Sequence, residues 1–188
     1  MSTTPLTNLA PLAAPPTISA EEHWYALYTR ARHERVVASS LRQKGMTTFL
    51  PLIARTHRWS DRQKDVQVSL FPGYIFVHLA PTAEAYLDVL KTAGVVSFVG
   101  SGRRGIPIPD KQIEDIQTLL GQNVPCAIFP FLRVGQRVRV RGGCLDGIEG
   151  RLATLSGNRS LVITIEPILH SLSIRLRGFD VEILPSDE

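Results

Sequence analysis

Two cysteines, Cys126 and Cys144, are all that this chain of 188 residues holds. A disulfide scaffold needs a denser cysteine framework, so two free thiols in a reducing, cytoplasmic setting are expected. Nor is there an apolar run near the roughly 20 residues that cross a bilayer, and no membrane is expected as a partner. The first twenty residues carry no basic residue and no long apolar run, which is unlike a secretory leader. Charge of one sign is also scarce. Lys and Arg number 21 against 17 Asp and Glu, a net +4. Such an excess permits contact with a polyanion without arguing for tight nucleic-acid binding.

Catalytic constellations are missing too. The histidines, His23, His33, His57, His78 and His170, are scattered, and no H-E-x-x-H, C-x-x-C or Ser/His/Asp arrangement appears. Neither a catalytic residue, a metal nor a cofactor is expected. One motif is deceptive. Residues 100–105, GSGRRG, fit G-x-G-x-x-G, yet a dinucleotide fingerprint must open into a helix, and here Pro107 and Pro109 follow. A flexible basic loop is expected there.

What is present divides along the chain. Residues 1–20, rich in Pro, Thr and Ala, have no usable period and read as a disordered tail. Between 21 and 121 the period alternates. Strands are predicted at 24–29, 46–51, 66–79 and 95–100. Helices are predicted at 33–44, at 83–92 with Leu87 and Leu90 on one side, and at 110–121 with Ile113, Ile116 and Leu120 on one face. The order β-α-β-β-α-β plus a final helix predicts an α+β, ferredoxin-like domain with helices on one sheet face. Pro125 and Pro130 mark 122–131 as a linker. From 132 to 185 the helical period vanishes and short strands between Gly and Pro signals predict a small bent β-barrel. Gly143, Gly147 and Gly150 stand at its first strand connection as turn and bulge positions.

The stretch 70–79, LFPGYIFVHL, is the most informative. Alternation puts Pro72, Tyr74, Phe76 and His78 on one side, and Gly73, Ile75, Val77 and Leu79 on the other. If the aliphatic set faces the helices, the aromatic set lies on the bare face, joined by Tyr28 from the first strand. Such a surface marks a partner site unless the linker or barrel covers it. Basic residues gather nearby in sequence: Arg30, Arg32 and Arg35 at the entry to the first helix, and Arg55, Arg58, Arg62 and Lys64 around His57 and Trp59. Cations beside an aromatic suit phosphate contact and base stacking, though a solvated hairpin tip has the same composition.

Together, WYALYTRARHERVVASSL, LFPGYIFVHL and TAGVVSFVG resemble the N-terminal domain of NusG-type transcription factors, and VGQRVRVRGGCLDGIEGRL resembles the KOW motif of their SH3-like C-terminal barrel. The resemblance implies a non-enzymatic elongation factor. Phe71, Pro72, Tyr74, Phe76 and Tyr28 would dock on the clamp helices of the RNA polymerase largest subunit. Arg30 and Arg32 would lie toward upstream or non-template DNA, with Arg55, Arg58 and Arg62 contributing. The barrel would recruit a ribosomal protein or a termination factor, and the protein is expected to be a monomer. Two departures matter. Cys144 replaces the usual Pro of the KOW turn. The loop Glu166–Ser171 lacks the Phe-Gly-Arg of the housekeeping factor and is more like UpxY-type and RfaH-like antiterminators. A specialised antiterminator is therefore favoured over the housekeeping factor. A ribosome-associated RNA-binding KOW protein is the alternative of another class. Ile168, Leu169 and His170 are the expected partner contact of the barrel.

Overall fold

The computed structural model describes residues 21–58, 63–100, 105–122, 124–130, 135–155 and 158–185. The first unit runs β1 (His23–Thr29), α1 (Glu34–Gln43), β2 (Thr47–Phe49), β3 (Leu52–Arg58), β4 (Gln63–Ser69), β5 (Tyr74–Leu79), α2 (Ala83–Leu90), β6 (Val95–Phe98), β7 (Pro107–Ile108) and α3 (Asp110–Gly121). Its sheet has the order β2-β5-β1-β6 with antiparallel neighbours, and β7 also pairs with β1. This is the ferredoxin-like arrangement that the element order predicts.

The single strand expected over 66–79 is two. β4 belongs to a separate two-stranded ribbon with β3, and β5 belongs to the main sheet. The corner between them is built by the Pro-Gly step. Gly73 adopts φ +84°, which a residue with a Cβ enters only with strain. Its N–H donates to Glu34 Oε1 at 2.7 Å, and its carbonyl accepts from Thr29 N at 2.8 Å. The corner is thereby tied to the end of β1 and the start of α1.

The helices divide between the two faces. Val37 and Leu41 of α1 and Val89 of α2 pack with Tyr25, Leu27, Ile75, Val77 and Leu79, so the aliphatic side of β5 faces helices as predicted. In α2 the side that Leu87 and Leu90 share faces outward: Leu87 is 52% and Leu90 38% exposed. The rotation is set by Tyr86, whose ring meets the edges of Phe98 at 4.6 Å and Tyr25 at 5.9 Å. Placing that aromatic in the core carries Ala85 and Val89 inward and Leu87 and Leu90 away. The final helix α3 lies on the other face, where Ile113, Ile116 and Leu119 join Trp24, Ala26, Phe76 and Ile108. Helices therefore cover both faces, with Leu119 buried and Leu120 half-buried.

The second unit contains β8 (Cys126–Pro130), β9 (Arg137–Arg141), β10 (Glu149–Leu155), β11 (Asn158–Ile165), β12 (His170–Arg175) and β13 (Asp180–Ile183), in the order β13-β9-β10-β11-β12-β8. Short 3-10 turns occupy Gly143–Leu145 and Glu166–Ile168. Gly143 and Gly147 take positive φ around the first turn. Gly150 has a different reason: a Cβ there would stand 2.6 Å from the Val162 carbonyl oxygen. The stretch expected as a linker contributes β8, which pairs with β12 from Cys126↔Ile174 to Pro130↔His170. Val138, Val140, Leu161, Ile163, Leu172 and Ile174 fill this unit, and they belong to the same apolar cluster as Trp24, Phe71 and Phe76. One continuous core joins the two units.

Candidate protein-docking face and its basic flank

The aromatic side chains predicted to share a surface do share one. Tyr28 and Tyr74 stand opposite in the β1–β5 register with ring centroids 5.5 Å apart. Phe76 lies 6.1 Å from Phe71, edge to face, and 6.0 Å from Phe49, stacked. Trp24 extends the set, 6.4 Å from Phe49 and 5.0 Å from the His78 ring. Phe49 was missed by sequence reading because its place opposite Phe76 follows from the β2–β5 register.

The face is not bare. Tyr28 is 46% exposed and Pro72 is exposed, but Phe71 and Phe76 are fully buried. The second unit provides much of the cover. His170 packs its ring against Phe71 at 6.0 Å and Tyr74 at 5.7 Å. Of the three expected partner contacts in the barrel, Ile168 is buried in the joint core, where its apolar side chain leaves water. His170 lies on the aromatic face. Leu169 alone points outward, 61% exposed, with φ +52° at the tip of the loop.

Beside this apolar contact a polar cluster lies at the seam. Lys111 of α3 pairs with Asp115 one turn later and donates to the Gly147 carbonyl at 2.9 Å. Asp115 accepts the Glu149 N–H at 3.2 Å. Burial pushes the Asp115 carboxyl above its ordinary range, outweighing the hydrogen bonds from Lys111 and Glu149 N–H. Burial also acts on Glu149, but there the hydrogen bond and charge of Arg139, with Arg137 and Lys111, prevail and hold it low. Lys111, Asp115, Arg137 and Glu149 line a cleft of about 310 Å³ between α3 and the barrel. They are satisfied by one another, as interface charges must be when water is removed.

The basic residues flank this face. Arg30 and Arg32 are exposed at the turn into α1, Arg32 with φ +64°. Arg35 donates to the Gln67 carbonyl at 2.9 Å, tethering the β3–β4 ribbon to the same helix. Arg55 is exposed on β3; Arg58 closes that strand, paired in register with Gln63. Trp59 and Arg62 lie outside the described residues, as does most of the basic loop at 100–105. Cys126 is half-buried, its thiol pushed up by burial, and Cys144 is exposed. Among the described residues no group of His, Cys, Asp and Glu is placed to hold a metal ion, and no helix is long and apolar enough to cross a membrane.

A family model described as "Transcription termination factor nusG" matches residues 22–117. The chain belongs to the NusG family. The matched NusG region begins at β1 and ends inside α3, so it holds the aromatic face and the ribbon. Beyond it, likeness to NusG proteins continues through the barrel. The "Transcription termination/antitermination protein NusG" of Lactococcus lactis is 28% identical over 177 residues, 88% of this chain and 95% of that protein. The protein of the same name from Streptococcus pyogenes is 29% identical over 154 residues, 75% of this chain and 85% of its own length. A solved structure described as "Domain interaction in Thermotoga maritima NusG" covers 89% of this chain and 99% of its own, with a TM-score of 0.52 and 22% identity, a likeness of fold.

Proposed function

We propose that this protein is a transcription elongation factor that docks on the clamp helices of the RNA polymerase largest subunit. The docking residues are Tyr28, Phe71, Pro72, Tyr74 and Phe76. Bound there, it disfavours the paused state and supports processive elongation and antitermination, a population shift through differential binding. The observation that carries this reading is the ring contact of Tyr28 with Tyr74 and of Phe71 with Phe76 on the sheet face opposite α1 and α2. A surface this aromatic suits a partner's apolar helix. Because His170 and its neighbours sit on the face, polymerase binding requires the barrel to leave it. The apparent affinity is then reduced by the fraction of molecules that are open. Arg30, Arg32, Arg55, Arg58 and Arg62 contact upstream or non-template DNA. Leu169, exposed at the loop tip, is left as the apolar contact for a barrel partner, a ribosomal protein or a termination factor.

The loop Glu166–Ser171 favours an operon-specific antiterminator. The general "termination/antitermination" names of the relatives favour a housekeeping factor. In vitro transcription with purified polymerase tests the proposal: added protein should shorten pauses. An unchanged pause lifetime, with a mixture of separated domains equally inactive, would refute it. Loss of the protein in cells separates the two roles, since a specialised factor affects few transcripts.

A further inference from the structure

The strand β8 has an unusual position. It lies at the end of the barrel sheet, paired on one side to β12, and every other strand of that sheet keeps its partner without it. It is also the first described strand of that sheet in chain order and follows α3 by only a few residues. Val124 N–H reaches back to the Leu119 carbonyl at 3.4 Å. Val124, Cys126 and Ile128 pack against the joint core at the seam. β8 is thus held by the barrel edge, while its N-terminal end is fastened to the first unit.

We propose that β8 is a clasp, and that its pairing with β12 keeps the barrel seated on the aromatic face. While β8 is paired, only residues 122–125 separate it from α3, four residues that span at most about 14 Å. A docking helix is itself about 10 Å across, so a barrel on that tether stays close enough to compete for its seat. When β8 peels away, the free connection grows to residues 122–136, about 50 Å when extended. Effective concentration falls with the longer tether, and the contacts of Cys126 and Ile128 are lost in the same event. Release also uncovers the outer edge of β12 with its row of backbone donors and acceptors. The aromatic face and the β12 edge are therefore exposed together, and whatever stabilises one exposed surface favours the other. The clasp is independent of the identity of either partner.

The test uses the full chain alone. Ile128→Pro removes an N–H and constrains the backbone in the middle of β8. Amide exchange at His170–Arg175 is expected to accelerate at least about tenfold, with small-angle scattering showing a larger radius of gyration. Continued protection of the β10–β11 ladder, Arg151–Leu155 against Asn158–Val162, identifies an intact barrel. If that ladder is lost, the milder Ile128→Gly decides the matter. Faster exchange at β12 with an unchanged radius overturns the clasp, as does an enlarged radius with β12 still protected. Unchanged exchange and unchanged radius in Ile128→Gly overturn it as well.

Discussion

Adjacent residues of β5 perform opposite tasks. Ile75 is fully buried beneath α1 and α2, whereas Tyr74 is half-buried on the far side against Tyr28 and His170. Ile75→Ala should lower unfolding free energy by about 2–4 kcal/mol through transfer and cavity terms. Tyr74→Ala should cost less in a urea titration yet weaken polymerase binding on the order of thirty- to several-hundred-fold, as for a central aromatic anchor. A Tyr74→Ala chain that melts early but binds normally would assign the faces the other way. At Gly73 the cost is conformational. Ala would meet Tyr28 Cε2 at an ordinary 3.4 Å but must hold φ +84°, so a loss of about 1–2 kcal/mol is expected in the same titration.

Among elements, the β3–β4 ribbon stands apart from both main sheets and pairs only with itself among the described residues. Arg55, exposed on this ribbon, is therefore free to serve a ligand without cost to the core. Changing Arg55, Arg58 and Arg62 together to Ala should leave the thermal midpoint nearly unmoved, since charges on a polar hairpin contribute little to stability. Crosslinking to upstream or non-template DNA in an elongation complex should fall. A folded triple variant with undiminished crosslinks would remove the ribbon from the DNA path. The short helix α2 shows how little an apolar spacing decides alone: Leu87 and Leu90 have helical spacing, but one aromatic, Tyr86, takes the core position.

At the scale of the molecule, closure of the barrel links to pH through Asp115. Its carboxyl titrates above the ordinary value while buried at the seam and returns toward that value once solvated. The closed form therefore binds the proton more tightly. Closure gains fully below the ordinary carboxylate value, about 4, and that gain is lost as pH rises through the elevated value. Asp115→Asn should flatten this dependence and leave the barrel seated at neutral pH, somewhat weakened, because the single amide oxygen can still accept from Lys111 while the hydrogen bond from Glu149 N–H is given up. Scattering profiles recorded from neutral pH down to about 4 would reveal it. A variant that opens at neutral pH would mean that the Lys111–Asp115 charge pair, not burial, governs the seam.

Local pattern sufficed for much of this protein. The alternation in LFPGYIFVHL put Ile75, Val77 and Leu79 on one face and Tyr74 and Phe76 on the other, because a strand's period of two sends neighbours to opposite sides. The loss of helical period after residue 131 announced an all-β unit, whereas the Pro-Gly step, inside the strand expected over 66–79, became a corner between two sheets. Tertiary structure decided what no local period encodes. That Phe49 stacks on Phe76 depends on strand register. That Ile168 is buried and Leu169 exposed depends on where the barrel loop lands, since neighbours in a turn are chemically alike until one meets a partner surface. The proline-marked connector became β8 because β12 offered it an open edge. Above all, the aromatic face lay open to two occupants, and burial of Phe71 and Phe76 beneath α3 and the barrel arises from contacts between segments distant in sequence, which composition and spacing cannot rank.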